Sequence, residues 1–220
     1  MPESYPGLFI VFEGLDGAGC TTQLSMLESR LLRSGHAVSS TKEPSNGPFG
    51  ATIRLVIEER LQSDPVALAL AFAADRIDHL RNTSNGIIKA LQEQKIVLCD
   101  RYVLSSLAYQ RVFIEDPQWL TVINQFAFSA DLTVFIDTPV EVCLQRISAR
   151  STNDELFHKA SILERVREHY LALIESHHPA AGRIIRVDGT LSREAQHEQI
   201  VSSSVALIQE KGYRTLFTTK

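Results

Sequence analysis

Phe9-Ile10-Val11-Phe12-Glu13-Gly14-Leu15-Asp16-Gly17-Ala18-Gly19-Cys20-Thr21-Thr22-Gln23 decides the fold of this 220-residue chain. An apolar run stops at a glycine-rich turn, and straight after it Leu24, Leu27, Leu31 and Leu32 recur at helical spacing up to Gly35. That order reads as a buried strand, a tight turn and an amphipathic helix. Gly14, Gly19, Thr21 and Thr22 fit the phosphate-cradling pattern G-x-x-x-x-G-K-S/T at every fixed position but one, with Cys20 where lysine is expected. Glycines at 14, 17 and 19 let the backbone turn its N–H groups onto an anion, and the helix starting at about Cys20 adds its positive end. In that arrangement Thr21 offers a hydroxyl to Mg2+ and Thr22 one to a phosphate oxygen.

Outward from this unit the alternation repeats. Short strands are expected at 37–41, 96–99, 132–136 and 183–187. Helices are expected at 53–61, 66–80, 87–94, 119–128 and 162–174, with a last one from Ser192 to about Lys211. Asp64-Pro65 reads as a helix cap followed by a first-turn proline. Residues 42–50 are dense in turn formers and read as a loop, and 102–110 as a loop or short helix. Thr138-Pro139 opens a helix that carries Arg146 and Arg150 towards its end, and the polar stretch 151–159 is without periodicity. Unbroken apolar strands between amphipathic helices predict an α/β fold: a parallel sheet of about five strands covered by helices on both faces. The expected organisation is a single domain over 1–220 with a mobile lid at about 150–160.

Hydrophobic residues make up 44% of the chain, enough for a sizeable core, and the net charge of −4 argues against coating a nucleic acid. No apolar run approaches the ~18 residues of a membrane span, and residues 1–7 lack the features of a signal peptide. Three cysteines without metal spacing suit a reduced cytoplasm.

In such sheets ligands bind where strands end. Glu13, Lys42, Asp100-Arg101 and Asp137 all fall at strand ends and are expected to face one crevice. Arg101 suits a bidentate grip on phosphate, and Asp100 suits metal-bound water. Phe72 and Arg76, spaced i and i+4, present a ring and a guanidinium to a base, although such pairs are also common as core beside a solvated edge.

Together these segments resemble thymidylate kinase, a P-loop NTPase-type nucleoside monophosphate kinase. The likeness runs from about residue 8 to residue 150. Phe12 to Gly19 with Thr21-Thr22-Gln23 is similar to that family's phosphate loop, which implies ATP and Mg2+ bound by Gly14, Leu15, Asp16, Gly17, Ala18, Gly19, Cys20, Thr21 and Thr22. Thr41-Lys42-Glu43-Pro44 resembles the family's T-R-E-P segment, which residues 50–54 continue to Arg54, and Phe72-Ala73-Ala74-Asp75-Arg76 its F-A-A-D-R. Asp100-Arg101-Tyr102 and Ser105-Ser106-Leu107-Ala108-Tyr109-Gln110 resemble D-R-Y and S-S-x-A-Y-Q.

The resemblance implies γ-phosphoryl transfer from ATP to dTMP. Lys42, Glu43, Pro44, Arg54, Phe72, Arg76, Arg101, Ser105, Ser106, Tyr109 and Gln110 would hold the acceptor. Asp16, Thr21 and Asp100 would hold the metal. Asp16, Arg101 and Arg150 would be catalytic, with Arg146 and Arg150 closing over ATP, and a homodimer is implied.

Two departures stand out. Cys20 removes the lysine that bridges the β- and γ-phosphates, and neither Ala18 nor 150–155 carries the loop or lid arginine of the two family branches. A thiol at a helix N-terminus is expected to ionise more easily, so a replacement cation is required. Lys42, Arg101, Arg146, Arg150 and Lys159 are the candidates. The alternatives are a nucleotide-binding protein that has lost turnover, and a kinase for another acceptor.

Overall fold

The computed structural model of the chain describes residues 5–147 and 153–212, with 153–158 described as backbone only. Five parallel strands, β1 (Leu8–Gly14), β2 (Val38–Lys42), β3 (Ile96–Asp100), β4 (Leu132–Asp137) and β5 (Ile184–Asp188), lie in the order β2-β3-β1-β4-β5. The central strand follows from its sequence. LFIVFEG is buried at every residue, including Glu13, so it is covered on both faces. Its register sets Val11 against Cys99 on one side and Thr133 on the other.

The helices are α1 (Cys20–Arg33), α2 (Pro48–Ile57), α3 (Pro65–Arg81), α4 (Ile87–Gln92), α5 (Val103–Tyr109), α6 (Pro117–Ile123), α7 (Val140–Ile147), α8 (Asn153–Glu175) and α9 (Arg193–Glu210). Helices α1 and α9 pack together in one layer, and α5 and α8 in the other. Leu24, Leu27 and Leu31 turn the apolar stripe of α1 onto the sheet. The Asp64 carboxylate caps α3 through the Val66 N–H at 2.8 Å, and Ser192 caps α9 through the Ala195 N–H at 3.1 Å. Both caps were legible as sequence.

Three helices differ from the sequence reading by four residues or more at one end or both. Helix α2 begins at Pro48 and ends at Ile57, five residues earlier than expected at its start. Proline at the first helical position loses no hydrogen bond and presets φ, so a residue read as a turn former opens the helix. Helix α6 covers Pro117–Ile123 rather than 119–128. The Asn124 amide turns back to donate to Leu120 O at 2.8 Å and accepts from Arg76, so a tertiary partner helps end the helix. Helix α8 starts at Asn153, where a non-periodic lid was expected. Once the packed segment around Leu163, Val166 and Tyr170 nucleates the helix, extending it by a few residues costs little. Of the expected lid, 150–152 lies outside the described residues, as does Arg150.

Among the described residues no helix is long and apolar enough to cross a membrane.

Candidate active site

The turn between β1 and α1 needs left-handed backbone at Gly17 (φ 82°) and Gly19 (φ 108°), which a residue with a Cβ adopts only at a cost. A cavity of about 450 Å³ opens on it. Leu15, Asp16, Gly17, Gly19, Cys20, Thr21 and Thr22 line one side, and Lys42, Glu43, Asp100, Arg101 and Arg146 the other. The ends of β1, β2 and β3 and the end of α7 therefore meet at the phosphate loop. Gly14 and Ala18 do not line it. A larger groove of about 580 Å³ on the outer face of α3, among Phe49, Ala73, Ala74 and Ile77, holds none of these groups.

Opposite the loop, Thr21 Oγ1 donates to Asp100 Oδ2 at 2.5 Å. With its proton given to Asp100, the Thr21 hydroxyl keeps its lone pairs for a cation, and the second carboxylate oxygen can accept from water, an arrangement that fits a hydrated Mg2+. Arg101 sits at φ 71°, a conformation that costs a non-glycine residue of order 1 kcal/mol or more. Its backbone N–H donates to Phe12 O at 2.8 Å, anchoring it to β1. Its guanidinium donates to Asp16 Oδ1 at 2.7 Å and Gly14 O at 3.0 Å, and lies 5.0 Å from the Tyr109 ring centroid. The Tyr109 hydroxyl in turn accepts the Asp16 N–H at 3.0 Å. Asp16, Arg101, Ser105 and Tyr109 thus form one unit around the loop.

Cys20 departs from its expected chemistry. Burial pushes its thiol well above the ordinary value, with Arg101 pulling the other way. Desolvation outweighs the helix N-terminus, so position 20 presents a neutral group rather than a thiolate.

Arg76 is fully buried. Its Nε and Nη2 donate to Glu43 Oε2 at 2.9 and 2.6 Å, and Nη2 also reaches Ser106 Oγ at 2.9 Å and Tyr102 O at 3.2 Å. Nη1 donates to Asn124 Oδ1. Glu43 Oε1 lies 3.3 Å from His79 Nδ1, and His79 Nε2 lies 2.6 Å from Thr41 Oγ1. Arg76 therefore ties β2, α3, α5 and α6 together. Phe72 is half-buried one turn before it.

Pro44 and Ser45 are held between Arg54, which donates to both carbonyls, and Asp75, which accepts the Ser45 N–H at 2.7 Å. Gln110, one turn beyond Ser106, is 8% exposed, and neither end of its amide has a partner. A buried amide in that state is an invitation to a polar ligand.

Arg146 does not point freely into the cavity. It donates to Gly17 O at 3.2 Å, Ala18 O at 3.0 Å and Gly189 O at 3.1 Å, bracing the loop against β5. Asp137 turns away from the crevice to pair with Arg167 and Arg186. Glu13 is not in the crevice either. It lies beneath it, 1% exposed, with Oε1 accepting the Tyr102 N–H at 2.9 Å and Oε2 accepting from Ser105 Oγ at 2.5 Å and Tyr170 Oη at 2.9 Å.

Burial raises the Glu13 carboxyl above its ordinary value, while the Ser105 hydroxyl and Arg101 oppose the shift. Glu13 was visible as an acid in an apolar strand. Tyr170 carried no such signal, since only folding brings residue 170 to residue 13. Removing its hydroxyl in Tyr170→Phe takes one bond from a buried carboxylate and should cost about 1.5–3 kcal/mol of unfolding free energy in urea titrations.

A family model described as Thymidylate kinase matches residues 12–200. Relatives carrying the thymidylate kinase name include a Treponema pallidum protein, 38% identical over 195 residues that cover 88% of this chain and 92% of the relative. A Pyrococcus horikoshii protein is 41% identical over 174 residues, 77% of this chain and 83% of its own. One from Methanocaldococcus jannaschii is 36% identical over 195 residues, 88% and 94%. With the phosphate loop at the end of the central strand of a five-stranded parallel sheet and matches spanning most of both partners, the chain belongs to the thymidylate kinase family.

Proposed function

We propose that the protein transfers the γ-phosphoryl group of ATP to dTMP, yielding ADP and dTDP. The observation that carries this reading is the single cavity in which the phosphate loop faces Asp100-Arg101. The unsatisfied Gln110 amide beside Ser106 supports a base bound next to it.

The α1 N-terminus and the loop amides bind the ATP phosphates. Thr21, with Asp100 and Asp16 through water, would hold Mg2+, which would supply charge neutralisation to those phosphates. Arg101 holds the acceptor phosphate, and Tyr109 keeps the guanidinium level beneath it. Phe72 and Gln110 address the base, while Arg76, Glu43 and Ser106 shape its pocket. Pro44, Arg54 and Ser105 complete the acceptor side, and Arg146 braces the phosphate loop on the ATP side. Transfer is direct, since positioning and fixed charge do nearly all the work in this chemistry.

Coupled ADP-release assays across dTMP, dUMP, dCMP and dGMP test this. The expected result is kcat/KM for dTMP at least tenfold above every other acceptor; equal turnover of dGMP overturns it. Two copies are expected to associate through α2 and α3, where Leu55, Ile57, Val66 and Leu70 are each more than 40% exposed. Sedimentation at micromolar concentration should give twice the 24.5 kDa chain mass. Three free, buried cysteines accord with a reducing cytoplasm.

A further inference from the structure

We propose that the Lys42 ammonium supplies the positive charge at the transferring phosphoryl group that Cys20 does not, acting as a catalytic residue in the reaction proposed above, on which the inference rests. Phosphoryl transfer spreads negative charge over the moving group and the leaving oxygen. As the acceptor phosphate oxygen bonds to the γ-phosphorus, the bond from phosphorus to the β–γ bridging oxygen breaks. Its electron pair stays on the β-phosphate of ADP, and a cation beside that oxygen stabilises it without itself gaining or losing a proton.

The cavity contains a neutral thiol where this charge is expected. Its described cations are Lys42, Arg101 and Arg146. Arg101 is committed to Asp16, Gly14 O and Ser105, and Arg146 to three backbone carbonyls. Each is braced by the loop it would have to leave. Lys159 does not line the cavity. Lys42 does, is exposed, and its side chain makes no hydrogen bond or ion pair among the described residues.

Its backbone, by contrast, is fixed. Lys42 is in register with Asp100, and the next N–H, that of Glu43, donates to Asp100 O at 3.0 Å. Neighbouring strands run about 4.8 Å apart, and an extended lysine side chain spans about 6 Å. An ammonium on this stem therefore covers the space in front of the Thr21–Asp100 pair, from the β2 side of the cavity instead of from the loop. A point charge on a flexible stem also suits a group that must follow a moving phosphoryl.

The test measures Lys42→Ala and Lys42→Arg in two backgrounds, the natural chain and Cys20→Lys. Turnover with dTMP is read alongside calorimetric affinities for ATP with Mg2+ and for dTMP alone. In the natural background Lys42→Ala should lower kcat by about 10²–10³, the usual effect of deleting one preorganised donor. It should weaken ATP about tenfold and leave dTMP affinity within twofold, and Lys42→Arg should retain most of both. With Cys20→Lys in place, the loss from Lys42→Ala should shrink below tenfold, because the loop again carries a cation.

A loss of dTMP affinity without loss of ATP affinity would overturn the assignment, placing Lys42 on the acceptor phosphate instead. So would an equal kcat loss in both backgrounds, or a change below threefold. Natural protein that turns over no dTMP defeats the proposed function, yet the ATP affinities of Lys42→Ala and Lys42→Arg still decide where the charge acts. Since Lys42 is exposed and unpaired among the described residues, matching thermal melts are expected for its variants. Should Cys20→Lys fail to fold, the ATP-to-dTMP contrast in the natural background is decisive.

Discussion

Arg101→Ala should lower kcat/KM for dTMP by about 10³ while leaving ATP affinity nearly unchanged. The guanidinium occupies the one point where β3, the phosphate loop and α5 converge, bonded to Asp16, Gly14 O and Ser105 and resting on Tyr109. Losing a bidentate donor to an acceptor phosphate removes both its grip and its alignment for in-line attack. A companion variant separates chemistry from fold. Arg101 has a left-handed backbone, so Arg101→Gly should show the same kinetic loss with about 1 kcal/mol more stability than Arg101→Ala, since glycine adopts φ 71° without steric cost. Initial-rate kinetics and urea unfolding of the pair check both statements. An Arg101→Ala enzyme with kcat/KM within tenfold of the natural chain would remove Arg101 from the acceptor site.

The largest effect on stability is expected from Arg76→Met. Arg76 and Glu43 are both about 2% exposed at the side chain and 2.6 Å apart, and Arg76 also satisfies Ser106, Asn124 and the Tyr102 carbonyl. Breaking a buried pair from one side leaves the other charge desolvated, at a cost of about 3–5 kcal/mol. Arg76→Met should therefore unfold at markedly lower urea. The double variant Arg76→Met, Glu43→Gln should recover part of the loss, because no buried charge is then left alone. If the single variant lost less than 1 kcal/mol, the buried pair would not be what holds the segment after β2 against α3 and α5.

Much of the site was legible before folding, because its chemistry is local. Gly14, Gly17, Gly19 and Thr21 form a phosphate loop through their spacing alone, and Asp100-Arg101 ends an unbroken apolar strand whose partners bury it completely. Residue pairs within one helix, such as Phe72 with Arg76, were likewise visible. Their surroundings were not. Arg76 reads as a group offered to a ligand, yet in the fold it is a buried hub. Arg146 reads as a cover for ATP, yet it braces the loop from Gly17 to Gly189. Asp137 ends a strand as Asp100 does, but two arginines from α8 and β5 draw it away from the cavity. The end of α6 moved for the same reason, Asn124 being claimed by Arg76 across the chain.

By itself, the sequence determined the parallel α/β sheet, the phosphate loop after its first strand and the missing lysine at position 20. Periodicity, glycine spacing and strand length are properties of neighbouring residues, and local backbone energetics read them directly. Only the tertiary structure decided the protonation of Cys20, the burial of Glu13 beneath Ser105 and Tyr170, and which cations remain free. Those depend on how much water each group loses and on partners up to 157 residues away, as between Tyr170 and Glu13. Neither quantity exists until the chain has closed on itself. For that reason position 20 could be recognised in the sequence as a charge removed, but Lys42 could be singled out only after the competing arginines were seen to be occupied.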